Sequence, residues 1–128
     1  MGVTDKVGLR GNLRLWAGVV AFFMVAAIPV WAQAGDAKQG EKIAKTRKLG
    51  NCVACHYLPN VESPGDIGPN LVDAMQEYTM ADREDVLQWV RDARKFNPHT
   101  IMPPFGTNKI LTSQQIDDVV AYLYTLKK

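Results

Sequence analysis

The chain has 128 residues and a formal net charge of +2, and the surplus sits in Met1–Ala34, where Lys6, Arg10 and Arg14 face only Asp5. Residues 35–128 carry 12 basic and 12 acidic side chains, a balance that excludes a nucleic-acid binder, which needs excess Lys and Arg to displace condensed counterions. A domain of that size buries limited surface, and its only cysteines, Cys52 and Cys55, lie too close in sequence to close a long disulfide loop. A metal or cofactor is therefore the expected staple.

In chain order, the three basic residues precede an uncharged run from Leu15 to Ala32, and Ala32-Gln33-Ala34 then supplies small residues at an A-x-A site. This is the order of an export signal, with cleavage expected after Ala34 and a cut after Ala32 as the alternative. The competing assignment is an uncleaved anchor, since the run sits at the lower limit for spanning a bilayer. Residues 1–34 are accordingly read as a cleaved signal peptide and residues 35–128 as one soluble domain of the periplasm.

Asp36 is a good N-cap for a polar helix running toward Lys48, which Gly50-Asn51 stops. Pro59, Pro64, Gly65, Gly68 and Pro69 make the following stretch a turn-rich loop. A short helix is expected from Asn70 or Leu71 to Tyr78. Asp82 can cap another, in which Val86, Trp89, Val90 and Ala93 form one apolar stripe. Pro98, Pro103, Pro104 and Gly106 make a second shaped loop. In the last helix Thr112 and Gln115 form a capping box, Ile116, Val119, Val120, Leu123 and Leu126 make the apolar stripe, and Gln114, Asp117 and Asp118 face out. No run alternates with period two, so the expected class is all-α, three to four helices joined by two proline-rich loops. Long structureless loops in a small domain need something to order them.

Cys52-Val53-Ala54-Cys55-His56 is the attachment pattern for a c-type haem. Two thiols three positions apart on a helical turn can add to the two vinyl groups of one porphyrin, and the next residue offers its imidazole to the iron. Export would bring the chain to the compartment where such haem is attached. Two alternatives use the same residues. A thioredoxin-type dithiol expects a βαβ pattern that is missing here. A zinc site from Cys52, Cys55, His56 and His99 leaves His56 little freedom to complete a tetrahedron.

The sixth iron ligand is sought among Met75, Met80, His99 and Met102. Met102 is favoured because Pro103-Pro104 stiffens the chain behind it into an extended segment. Met75 and Met80, in or beside a helix, are read as core fillers, and His99 as a surface or outer-shell residue. A His ligand would lower the reduction potential, whereas a Met ligand raises it. On the other face, Pro69 in Gly68-Pro69-Asn70-Leu71 can offer its carbonyl to Nδ1 of His56 and raise ligand basicity. Lys38, Lys42, Lys45, Arg47 and Lys48 make a basic face that is either a plain solvated surface or a steering patch for an acidic redox partner. The aromatic residues Tyr57, Trp89, Tyr122 and Tyr124 are read as core or haem-packing groups.

Taken together, Gly50-Asn51-Cys52-Val53-Ala54-Cys55-His56, Gly65-Asp66-Ile67-Gly68-Pro69-Asn70-Leu71 and Asn97-Pro98-His99-Thr100-Ile101-Met102-Pro103-Pro104-Phe105-Gly106 resemble the SoxX family, within the class I cytochromes c. The likeness continues from Ile110 to Leu126. It implies a class I cytochrome c fold wrapped around one haem c, held covalently by Cys52 and Cys55, with His56 and Met102 on the iron. It also implies a division of labour. The partner subunit SoxA carries the site where thiosulfate is joined oxidatively to a cysteine of the carrier protein SoxY, within SoxYZ, in an L-cysteine S-thiosulfotransferase type of reaction. The SoxX-like chain is the non-catalytic subunit that passes the electrons to a small soluble cytochrome c. The other functions considered are a free-standing electron carrier and an open-site haem enzyme such as a peroxidase, for which no distal His and Arg pair can be assigned.

Overall fold

The computed structural model describes residues 35–128, and the expected signal peptide lies outside the described residues. Helix α1, Ala37–Lys45, begins where the Asp36 carboxylate accepts the Lys38 and Gln39 amides at 2.8 and 3.2 Å, satisfying two donors with no partner inside the helix. It ends at Thr46, whose amide and hydroxyl both bond the Lys42 carbonyl. Its buried face is narrow, consisting of Gly40, Ile43 and Ala44.

That face packs on the last helix, α4, which in order along the chain follows α2 (Leu71–Ala74) and α3 (Arg83–Asp92) and spans Ser113–Tyr124. The contact is close enough that a Cβ on Gly40 would lie 1.9 Å from the Asp118 carbonyl oxygen and 2.9 Å from Cβ of Tyr122, so only glycine fits at this approach. The Thr112–Gln115 capping box of α4 forms as expected. Its stripe of Ile116, Val119, Val120, Leu123 and Leu126 is buried, each such side chain contributing about 1.5–3 kcal/mol. Val86, Leu87 and Val90 of α3 and Phe105 and Leu111 of the second loop close the core around it. Among the described residues there is no strand. The all-α expectation of three to four helices holds.

Several local expectations change. Asp118 does not face out. It is buried, and its carboxylate accepts the Asp36 amide at 2.8 Å and the Gln114 side chain at 2.9 Å. Helix α2 stops at Ala74 rather than Tyr78, because the Gln76 side chain takes the Val72 carbonyl at 2.7 Å and the Gln76 and Glu77 amides bond three residues back; the Lys127 ammonium then takes the carbonyls of Met75 and Tyr78. The cap before α3 is Thr79, not Asp82. Thr79 and Asp82 form a reciprocal box around a 3₁₀ turn, Met80–Asp82, that leads into the helix. Met75 is core, but Met80 is 67% exposed and fills nothing.

Candidate haem-attachment site

Asn51 takes a left-handed conformation, φ 47°, which its short polar side chain tolerates. The turn it makes starts a 3₁₀ segment, Cys52–Ala54, in which the Cys55 and His56 amides both return to the Cys52 carbonyl, at 3.2 and 2.9 Å. The two cysteines form no disulfide, and each is half-buried.

The first loop has no regular structure because its hydrogen bonds go to this turn. Gly65 donates to the Val53 carbonyl at 2.8 Å, Gly68 to Cys55 at 2.7 Å and Leu71 to Tyr57 at 3.2 Å. Such lacing brings the Pro69 carbonyl oxygen to 2.8 Å from Nδ1 of His56. A carbonyl can only accept, so Nδ1 carries the proton and Nε2 keeps its lone pair. Gly68 lies flat against the same ring, where a Cβ would meet Cε1 at 2.4 Å and Nδ1 at 2.6 Å.

The second loop holds Met102, which is half-buried and packs against the same apolar cluster as Cys52. Its amide donates to the Thr100 hydroxyl at 3.1 Å. His99 is exposed, with its amide bonded to Asn97, so it sits at the surface as expected. Among the described residues no group of three or more His, Cys, Asp or Glu side chains gathers as a metal cluster, so His99 does not complete a zinc site with the cysteine pair.

The aromatic residues divide. Tyr122 is buried with its hydroxyl unpartnered, Trp89 stacks on Phe96 with ring centroids 4.7 Å apart, Tyr124 donates to the Thr79 carbonyl, and Tyr57 is exposed. On the basic face Lys38, Lys42, Arg47 and Lys48 are exposed, while Lys45 pairs with Glu41 at 2.6 Å and lies over the Tyr122 ring.

These residues fit a covalent haem. Two unpaired thiols share one turn, and the adjacent imidazole has one nitrogen engaged and the other available. Leu49, Val53, Val61, Leu71 and Met102 are apolar side chains that the protein itself covers only in part, as a large flat apolar partner requires.

One cluster has no counterpart in the expectations from sequence. The Asp92 carboxylate, at the end of α3, receives Nε and Nη2 of Arg94 at 2.7 and 2.6 Å and the Thr107 hydroxyl at 2.7 Å. Those partners hold its carboxyl well below the usual carboxylate range. Nothing local marks Thr107 as its partner, because the two are 15 residues apart in sequence.

A family model for cytochrome c matches residues 37–127. Among solved structures, SoxXA from P. pantotrophus matches with a TM-score of 0.66 and 35% identity, over 76% of this chain and 85% of that one. A protein of Aquifex aeolicus (strain VF5) described as an uncharacterized lipoprotein is 29% identical over 70% of this chain and 50% of its own length. The chain thus spans about half the length of that curated relative.

Proposed function

The chain belongs to the cytochrome c family, and on that premise we propose that it is the electron-accepting monohaem subunit of a SoxAX-type complex, exported to the periplasm and paired with SoxA. As a cytochrome c it transfers electrons and carries haem c through Cys52 and Cys55. The likeness to the SoxXA structure over most of both chains carries the more specific proposal.

When bound, the haem supplies a one-electron iron couple. The residues around it set how that couple behaves. His56 would hold the iron through Nε2, and the Pro69 carbonyl fixes the ring and draws on the Nδ1 proton, which raises the basicity of that nitrogen. Met102 would supply the second iron ligand, a neutral thioether that favours the reduced state and so suits an electron acceptor. With His56 and Met102 both held by the protein to bind the iron, the haem would pass electrons rather than bind substrate. The reaction in which thiosulfate is joined to the SoxY cysteine belongs to SoxA, and the electrons leave this chain for a small soluble cytochrome c. Among the described residues no helix is long and apolar enough to cross a membrane.

The test is to express the chain with tagged SoxA in an export host with haem maturation. Thiosulfate and the SoxY carrier are then added, and the absorbance of reduced haem is followed. Co-purification, with haem reduction that needs both SoxA and SoxY, is expected. A chain that elutes alone and is not reduced would instead be a free-standing carrier, and rapid carbon monoxide binding to its reduced form would indicate an open-site protein.

A further inference from the structure

We infer that Asp92 is a positioning residue that holds the Met102 loop closed, so that the hydrogen bond from Thr107 to its carboxylate governs how often the Met102 face of the haem opens. This rests on Met102 as an iron ligand, as proposed above.

The loop cannot tie itself down next to Met102. Pro103 and Pro104 follow immediately and provide no amide donors. The Met102 amide reaches only as far as the Thr100 hydroxyl, within the loop. Beyond the apolar packing of Phe105, its hydrogen-bonded attachment to the rest of the protein therefore falls to the next residues, where the Gly106 and Thr107 amides donate to the Arg91 carbonyl at 2.9 and 3.4 Å and the Thr107 hydroxyl to Asp92 at 2.7 Å.

Asp92 serves both ends of the loop. Its Oδ1 accepts the Arg94 amide at 3.2 Å and caps the 3₁₀ turn Ala93–Lys95 where the loop departs from α3. Its Oδ2 accepts the Thr107 hydroxyl where the loop returns. The residue is only 7% exposed, and hydrogen bonds to a charged acceptor of this kind are stronger than neutral ones. The thioether of Met102 is uncharged, so no ionic attraction draws it to iron, and its retention depends on the loop staying in place.

The experiment uses haem-loaded protein and three readouts: the far-red sulfur-to-iron band of the oxidised form, the carbon monoxide association rate of the reduced form, and the thermal midpoint. Thr107→Val removes one donor and leaves Asp92 paired with Arg94. It should raise the association rate about tenfold or more, the scale of one lost bond to a charged group. Thr107→Ser should restore the wild-type rate, and Asp92→Asn should move it as Thr107→Val does. Lys127→Met, which loses bonds to the Met75 and Tyr78 carbonyls instead, should lower the midpoint without moving the rate. A wild-type rate in both Thr107→Val and Asp92→Asn, with the band intact, overturns the inference while leaving Met102 as ligand. A rise in Lys127→Met equal to that in Thr107→Val also overturns it, since loosening would then be general. A far-red band that survives Met102→Ala overturns the ligand assignment itself, and the loop inference with it.

Discussion

Nδ1 of His56 and the carbonyl oxygen of Pro69 stand 2.8 Å apart across 13 residues of sequence. Proline has no amide hydrogen to compete for this position, and its carbonyl can only accept. The contact therefore selects the tautomer, and leaves Nε2 as the nitrogen that would bind iron. Gly68, immediately before, is what lets the backbone lie against the ring.

Gly68→Ala should disturb that seat directly. The added methyl would lie 2.4 Å from Cε1 of His56, so either the ring or the loop must move. The expected cost is about 1–3 kcal/mol of stability, together with a shift in the reduction potential because the ring is reoriented. Denaturant unfolding and potentiometry of the haem protein check both, and a variant matching the wild type in each would show that His56 is not held here.

Ligation and attachment are separable. Met102→Ala should keep the haem covalently bound, lose the far-red band and lower the potential. Cys52→Ala should leave at most one thioether bond and retain less haem through denaturation and acid extraction. Wild-type protein that released all of its haem on unfolding would contradict attachment through Cys52 and Cys55.

The crossing of α1 and α4 should tolerate no side chain at Gly40. A Cβ there would overlap the Asp118 carbonyl, and the helices would have to separate along their shared face. Gly40→Ala is expected to cost about 3 kcal/mol, at the upper end of overpacking effects. Thermal unfolding measures it, and a loss below the scatter of replicate melts would mean that the helices can part freely.

Asp92 gives the pH dependence of stability a definite sign. Its folded carboxyl lies below the usual range because Arg94 and Thr107 bond the ionised form. On acidification the unfolded chain takes up the proton first, near a pH of about 4. The stabilisation is thus complete above that point and is lost as pH falls through the lower folded value. Asp92→Asn should flatten the acid limb of a stability-against-pH curve, and an unchanged slope would remove Asp92 as its source.

What could be read from the sequence was whatever depends on near neighbours. The Cys52-to-His56 spacing, the Asp36 and Thr112 caps and the stripe on α4 each span a turn or two, so residue type and spacing suffice to define them. The two proline-rich loops were equally legible as loops, though not their shapes. Helix α2 looked longer than it is: the Gln76 and Glu77 amides tighten to bonds three residues back, and Lys127, 52 residues away from Met75, binds the Met75 carbonyl just beyond.

Tertiary structure decided the rest, through contacts that composition and periodicity do not encode. Asp118 reads as an outward polar position on α4, yet it turns inward because the Asp36 amide, 82 residues earlier, needs an acceptor there. Asp92 reads as an ordinary helix end, and only the return of the second loop makes it the acceptor for Thr107. Local sequence determined where helices start, where they are apolar and which residues form the haem-attachment motif. The folded chain decided which carboxylates are buried, because burying a charge is tolerable only where distant donors converge on it.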